Sequence, residues 1–207
     1  MTEPYHLPVQ VRTMHIKRPK VDIQYPNVVM PQQPGIQQHI NSRIDREVQQ
    51  LIRLQGYYEH PAQTEMTGLY EIKTNERGIF SVSLSNYAYT EKMAHGLTLL
   101  KSLTFDIRTG KAYALNELFK PGSDYVGRIS AQIQEQIKAR NIPVLQPFTK
   151  IRPDQDFYIA DRSLVVYFQL YEITPYYYGF PFFPISAYSL QDMIPDNSPL
   201  GYMLVNM

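Results

Sequence analysis

A long amphipathic helix is the feature of this sequence that most constrains its fold. Apolar residues recur at steps of three and four between Ile36 and Ile52, which places their side chains on one helix face. Pro34 suits the first turn of such a helix, and Gly56 stands where a glycine commonly follows a helix end. About 20 residues make a rod of roughly 30 Å, long enough to cross a sheet. The apolar face consists of Ile36, Ile40, Ile44, Val48, Leu51 and Ile52.

Strand patterns lie on both sides of this helix. Alternating apolar residues predict one or two strands within residues 7–25, ending at Tyr25-Pro26 because proline cannot donate to a strand ladder. Residues 68–74 and 78–89 are rich in β-branched and aromatic side chains and predict a hairpin. We expect the helix to be buried against this hairpin, since an isolated helix of this kind is only marginally stable.

The second strand of the hairpin shows a clear alternation. Ile79 is followed at every second position by serine, whereas Phe80, Val82 and Leu84 occupy the positions between. Such alternation predicts an antiparallel strand with one buried face. A further strand is predicted over 97–107.

The second half of the chain repeats this combination of elements. A helix is predicted after Pro121-Gly122, with Ser123 as N-cap and an apolar stripe that continues to Ile137. A hairpin is predicted over 157–170, and a last short strand over 185–187.

These elements predict an α+β fold, because they do not alternate regularly as β-α-β units do. We expect antiparallel sheets, each packed with one long amphipathic helix. The predicted domains are an N-terminal strand-helix-hairpin module over 1–92 and a C-terminal module over 93–207, both within one compact unit.

Composition and motifs exclude several functions. The 20 Lys and Arg residues balance 19 Asp and Glu, so the charge does not indicate nucleic acid as a partner. The chain has no cysteine, its five histidines share no ligand spacing, and the common nucleophile and phosphate-binding motifs are missing. We therefore predict no catalytic residues, no metal and no cofactor. The cationic run from Arg12 to Lys20 is interpreted as a solvated strand edge.

Two small groups of polar residues have alternative interpretations. Asp154, Asp156 and Asp161 could form an acid–base pair, but their positions favour turns. His95 lies in an irregular loop beside Gly96, where it could cap backbone carbonyls or contact a ligand.

The strongest local signal is aromatic. Residues 171–184, the aromatic segment, contain seven aromatic residues in fourteen, interrupted by Pro175, Gly179, Pro181 and Pro184. These breaks predict a shaped loop and exclude an ordinary helix. Its rings could fill the core, form a recognition surface, or divide between the two. We expect Phe182 or Phe183 to be buried and at least one of the tyrosines 176–178 to be exposed. The predicted partner-binding residues are Tyr171, Tyr176, Tyr177, Tyr178, Phe180 and His95.

Several stretches of the sequence together have the pattern of a known family. They are Ala94–Gly96, Ser102–Lys111, Leu115–Lys120, Phe157–Ile159 and Tyr171–Tyr176 with Gly179. This series resembles the extracytoplasmic domain of RsiV-type anti-sigma factors. The N-terminal part, from Val21 to Tyr89, is similar to a module that also precedes the catalytic domain of polysaccharide deacetylases of the PdaC type.

The resemblance implies a sensor or binding domain without catalysis of its own. In RsiV-type proteins this domain binds lysozyme, so the implied partner is a lysozyme-like protein or, alternatively, a cell-wall glycan. Two other functions stay open: an accessory to an enzyme that acts on polysaccharide, and a structural component of a bacterial envelope or spore layer.

The sequence contains no run of about 20 apolar residues and no signal-peptide pattern at its start. We therefore expect no membrane span in this chain, and signalling through membrane proteolysis is not carried over. The resemblance implies an extracytoplasmic or envelope location, and a cytoplasmic or spore-associated one stays open. The sequence does not predict the oligomeric state.

Overall fold

The computed structural model describes residues 8–204, and the chain divides into two units, Met1–Ala112 and Tyr113–Met207. The N-terminal unit is built on a five-stranded sheet of order β1-β2-β3-β4-β5. All neighbouring strands are antiparallel except β2 and β3, which pair in parallel over Val21–Ile23. Its elements are β1 (Gln10–Arg18), β2 (Val21–Val29), α1 (Pro34–Leu54), β3 (Thr64–Glu76), β4 (Ile79–Thr90) and β5 (Leu97–Asp106).

The predicted apolar face of α1 forms the core of this unit. Five of its six residues are buried, and Ile36, in the first turn, is half-buried. The helix packs mainly on β2, with further contacts to β5 and β4. The expected packing against the β3–β4 hairpin is therefore only part of the observed arrangement, because α1 lies across the sheet.

The predicted end of β2 at Tyr25-Pro26 is wrong, since the strand continues through Pro26 to Val29. The N–H of Val28 points away from β1, because it donates to Oδ1 of Asn41 in α1 at 2.8 Å. Residues two apart in a strand direct their N–H groups to the same edge. The nitrogen of Pro26 therefore also points away from β1, and its missing N–H removes no ladder bond.

The prediction that β4 has one buried face is also wrong. Ser81 and Ser83 are buried together with Phe80, Val82 and Leu84. The hydroxyl of Ser81 lies 2.8 Å from the hydroxyl of Thr104 on β5. Because these two groups satisfy each other, serines can occupy a buried position that alternation alone would assign to solvent.

The division between the units follows from β5. This strand pairs with β4 over ten residue pairs, from Ile79–Asp106 to Ala88–Leu97, and so belongs to the N-terminal sheet. The observed boundary therefore lies between Ala112 and Tyr113, beyond the predicted one after residue 92.

The C-terminal unit is built on a three-stranded antiparallel sheet of order β6-β7-β8. The predicted helix α2 packs on β8 and buries Ile129 and Ile133. Short 3₁₀ turns lie at Leu115–Leu118, Tyr176–Tyr178 and Ala187–Met193. The other elements are α2 (Tyr125–Ala139), β6 (Phe157–Ala160), β7 (Ser163–Tyr167), β8 (Phe182–Ser186) and α3 (Pro199–Leu204).

The N-cap of α2 is Asp124, not the predicted Ser123. The Asp124 carboxylate accepts from the N–H of Gly127 at 2.9 Å. The hydroxyl of Ser123 instead donates to the carbonyl of Lys120 at 2.7 Å. A carboxylate at this position also interacts favourably with the positive end of the helix.

The predicted α+β class with antiparallel-rich sheets and one long helix on each is confirmed. Within residues 8–204, no helix is both long and apolar enough to span a bilayer.

Candidate functional site

The aromatic segment connects β7 to β8 as a closed loop. The N–H of Phe168 donates to the carbonyl of Pro181 at 3.3 Å and so joins the two ends of the loop. At its tip, Tyr178 donates to Pro175 at 3.0 Å, which forms the 3₁₀ turn. Gly179 then takes a positive φ of 80°, a conformation that glycine adopts without steric cost.

The segment is not a loop to its end, however. Its last residues enter β8, where Pro184 pairs with Val165. Since β8 is the edge strand of its sheet, one side of Pro184 needs no hydrogen-bond donor.

The rings of the segment divide between core and solvent, as expected. Phe183 is fully buried and packs edge-on against Phe168, with the ring centroids 5.8 Å apart. Tyr177 is 80 % exposed, Tyr171 48 % and Tyr176 38 %. One segment therefore both anchors itself in the core and presents tyrosines to solvent.

The remaining predicted binding residues of the segment lie between these extremes. Tyr178 and Phe180 are half-buried. The ring of Phe180 lies 6.4 Å from that of Phe182, which in turn lies 5.8 Å from Tyr167 on β7. Phe180 is thus joined to β7 through a chain of aromatic contacts.

Tyr171 and Tyr176 form a stacked pair at the surface. Their ring centroids are 5.2 Å apart and their planes differ by 25°. Tyr171 has a φ of 65°, a left-handed conformation that is uncommon for a bulky residue. Such a conformation persists only where neighbouring groups hold it.

A polar network beside Tyr171 supplies that restraint. Glu172 accepts from the N–H of Gln169 at 2.7 Å and forms an ion pair with Arg152. The side chain of Gln169 also donates to Asp156 at 3.1 Å. Burial lowers the pKa of Arg152, but the hydrogen bond and charge of Glu172 outweigh it, so that pKa lies above its ordinary value. This network was not predicted, because nothing in the sequence joins Arg152 to Glu172.

A cleft of about 220 Å³ adjoins this network. Arg152 and Glu172 line one part of it, and Leu145, Phe148 and Ile173 provide apolar surface. The exposed tyrosines, the network and the cleft together form the candidate surface, which consists of C-terminal-unit residues alone.

His95 belongs to the N-terminal unit and is exposed in the turn between β4 and β5. Its Nδ1 lies 2.9 Å from the carbonyl oxygen of Gly96, which it can cap when that nitrogen carries the proton. This contact agrees with the capping alternative, and a ligand-binding role for His95 stays a prediction.

Two of the three aspartates considered for acid–base chemistry, Asp154 and Asp161, lie in turns, as their sequence positions favour. Asp161 takes a φ of 50° in the turn between β6 and β7, and Asp154 lies 3.7 Å from Nε of Arg152. Asp156 accepts from Gln169 in the network described above. Among residues 8–204, no group of three or more His, Asp or Glu side chains could hold a metal ion.

Comparison with known proteins agrees with the resemblance inferred from the sequence. Residues 116–188, which include the aromatic segment, match the model of the family described as "Protein of unknown function (DUF3298)". The chain is 26 % identical over 199 residues to the anti-sigma-V factor RsiV of Bacillus subtilis (strain 168). This match covers 84 % of the chain and 65 % of RsiV, so the chain spans less than two thirds of that relative's length.

Two solved structures share the fold. The first, a DUF3298 family member from Bacteroides fragilis, has a TM-score of 0.70 at 12 % identity and covers 95 % of this chain and 97 % of its own. The second, a DUF3298 family protein from Pseudomonas aeruginosa PAO1, has a TM-score of 0.68 at 14 % identity and covers 97 % and 98 %. The relation of the N-terminal module to polysaccharide deacetylases stays a prediction. The family match over 116–188 and the similarity to RsiV agree with the resemblance to RsiV-type proteins that the sequence predicts.

Proposed function

We propose that this chain is a non-catalytic, extracytoplasmic binding domain that recognises a protein through the exposed tyrosines of the aromatic segment. The observation that carries the proposal is the division of the segment: Phe183 anchors it in the core, while Tyr171, Tyr176 and Tyr177 face solvent. Tyrosine offers a large contact area at low side-chain entropy, with a hydroxyl that can pair with a partner.

The rigidity of the presenting loop also supports a binding role. The bond from Phe168 to Pro181 closes the loop, and Glu172 holds the backbone beside Tyr171. A surface that is ordered before binding has less conformational entropy to lose when a partner docks. Side chains held in this way are therefore efficient contact residues.

A lysozyme is the first protein to test. The relative that matches this chain is named as an anti-sigma factor, and the resemblance links the extracytoplasmic domain of such proteins to lysozyme binding. Since aromatic side chains also bind sugars, a cell-wall glycan is the alternative partner.

The experiment is a calorimetric titration of the chain with lysozyme and, separately, with N-acetylglucosamine oligomers. The variants are Tyr171→Ala, Tyr176→Ala and Tyr177→Ala. Tyr58→Ala is the matched control, because Tyr58 lies in the N-terminal unit and has the same 48 % exposure as Tyr171. We expect lysozyme to bind, and at least one segment variant to lose roughly 1–4 kcal/mol of affinity while the control does not.

If only the N-acetylglucosamine oligomers bind, and the same variants weaken that binding, the partner is a cell-wall glycan and not a protein. Binding that all three segment variants leave unchanged would remove the aromatic segment from the recognition surface. Absence of binding to both ligands would overturn the assignment of lysozyme and of wall glycan.

A further inference from the structure

Within residues 8–204, no strand pairs with the outer edge of β1, which belongs to the N-terminal unit and is away from the aromatic segment in sequence. β1 is the terminal strand of its sheet, and it pairs with β2 without a bulge over nine residues, from Gln10–Val29 to Arg18–Val21. A long, regular edge strand presents a row of backbone donors and acceptors to which another strand can pair.

The hydrogen bonds of β2 determine which groups of β1 point outward. Val28 directs its N–H and its carbonyl oxygen to Asn41, away from β1. Val28 stands opposite Val11. In an antiparallel ladder, opposite residues either exchange both bonds or direct both sets of groups outward. The backbone groups of Val11 therefore point outward, and so do those of every second residue after it.

The outward residues are Thr13, His15 and Lys17 in addition to Val11. Within residues 8–204, no hydrogen bond engages the backbone groups of these four residues. The preceding residue of the same parity shows what a partner does there, since the Asn75 side chain accepts from the N–H of Val9 at 2.9 Å and donates to its carbonyl at 2.9 Å. The Asn75 side chain thus makes the two hydrogen bonds to Val9 that a neighbouring strand would make. The open edge, Val11–Lys17, begins directly after this position.

The side chains along this edge are cationic. The β1–β2 hairpin carries Arg12, Lys17 and Arg18 on β1 against a single carboxylate, Asp22. Asp22 lies 3.9 Å from Nζ of Lys17. The rest of the chain compensates this charge, because the net charge of the whole sequence is only +1. The excess of positive charge is therefore a local property of the edge.

This combination selects one occupant. A second copy of β1 would bring a strand that also carries Arg12, Lys17 and Arg18 to this edge without supplying any carboxylate, and like charges on neighbouring strands destabilise strand pairing. An extended segment that carries glutamate or aspartate would satisfy both the backbone groups and the charges. We propose that the open edge of β1 binds an extended, acidic segment of a partner protein by strand addition. This site lies in the N-terminal unit, whereas the aromatic segment lies in the C-terminal unit, and the proposal does not depend on the proposed function.

The probe is an acetylated and amidated peptide of about seven residues, in which glutamate alternates with valine or threonine; it is long enough to cover Val11–Lys17. Binding is followed by fluorescence anisotropy and by amide hydrogen exchange of the full chain. We expect exchange to slow about tenfold or more at Val11, Thr13, His15 and Lys17. The amides of Arg12 and Met14, which already bond to β2, should not change.

Two variants test the two parts of the proposal. His15→Pro removes one outward N–H and leaves the β1–β2 ladder intact, as Pro26 does in β2, and should weaken binding about tenfold. The double charge reversal Arg12→Glu, Lys17→Glu should also weaken binding about tenfold without removing any backbone donor. Circular dichroism and thermal unfolding verify that each variant is folded. If His15→Pro does not fold, the effect of the charge variant on peptide binding tests the proposal.

Three outcomes would overturn the proposal. The first is that a control peptide with lysine in place of glutamate binds as tightly as the acidic peptide. The second is binding of the acidic peptide without slower exchange at the four outward amides, or no binding at all. The third is a thymidine oligonucleotide that binds this edge more tightly than the acidic peptide, which would make it a phosphate-binding surface.

Discussion

Asn41 in α1 and Val28 in β2 are joined by two hydrogen bonds. The N–H of Val28 donates to Oδ1 of Asn41 at 2.8 Å, and Nδ2 of Asn41 donates to the Val28 carbonyl at 3.0 Å. The helix thus satisfies the backbone of a fully buried strand residue at a point where the sheet has no neighbouring strand to do so.

Asn41→Ala is expected to destabilise the chain by about 2–4 kcal/mol, because it leaves a buried N–H and a buried carbonyl without partners. Gln38→Ala, on the exposed face of the same helix, is the control. Chemical denaturation of both variants measures the difference. A loss below about 0.5 kcal/mol for Asn41→Ala would show that water replaces the amide at no cost.

Ile44→Asp is expected to destabilise the N-terminal unit by several kcal/mol, because it places a charge in the interface between α1 and the sheet. Ile44 is fully buried in this interface. Gln50→Asp introduces the same residue on the exposed face of α1 and should have little effect. Thermal unfolding of the two variants tests the packing of the helix; equal melting temperatures would contradict it.

Asp124→Ala is expected to cost about 1 kcal/mol of stability, the usual contribution of an N-cap. Ser123→Ala should cost less, because the Ser123 hydroxyl bonds to Lys120 and not to the free N–H groups of α2. Comparing the free energies of unfolding of the two variants identifies the cap. A larger loss for the serine variant would restore the assignment made from the sequence.

Phe183→Ala should reduce stability much more than Tyr177→Ala, although both residues lie in the aromatic segment. Removing the fully buried Phe183 ring leaves a cavity and should cost about 3–5 kcal/mol. Removing the Tyr177 ring should change the free energy of unfolding by less than about 0.5 kcal/mol. Urea denaturation measures both, and a large loss for Tyr177→Ala would give this ring a structural role.

Glu172→Gln is expected to loosen the aromatic segment more than the fold. The substitution keeps the shape of the side chain but removes the charge that pairs with Arg152, a partly exposed group, so global stability should fall by less than about 1 kcal/mol. Hydrogen exchange at Gln169 and Glu172 should become faster, since the bond from the Gln169 N–H to Glu172 weakens.

Asp154→Asn is the control for this experiment. Asp154 also approaches Arg152, but it is almost fully exposed and lies 3.7 Å away. The Asp154→Asn substitution should leave amide hydrogen exchange in the aromatic segment unchanged. If Glu172→Gln and Asp154→Asn behave alike, the ion pair does not hold the loop.

Much of the fold could be predicted from local patterns. The apolar spacing from Ile36 to Ile52 predicts α1, and the alternation around Phe80 predicts β4, since both patterns report the period of a single element. The antiparallel-rich α+β class follows from the order of these elements along the chain. A shaped loop at the aromatic segment is likewise predicted by its prolines and Gly179.

The errors occur where the outcome depends on groups distant in sequence. Pro26 lies within β2 because its nitrogen faces an edge that α1, not a strand, covers. Ser81 is buried because Thr104 bonds to it. Neither partner can be identified from the local pattern, which reports only the polarity of the residue itself.

The same distinction holds for the candidate surfaces. The sequence by itself determined that seven rings share a segment broken by proline and glycine, and that cations cluster between Arg12 and Lys20. Only the tertiary structure decided that Phe183 is buried and Tyr177 exposed, that Glu172 meets Arg152, and that, within residues 8–204, the cationic strand β1 pairs with β2 alone. The physical reason is that the exposure and the pairing of a side chain depend on contacts with residues that are distant in sequence. Local periodicity contains no information about those contacts.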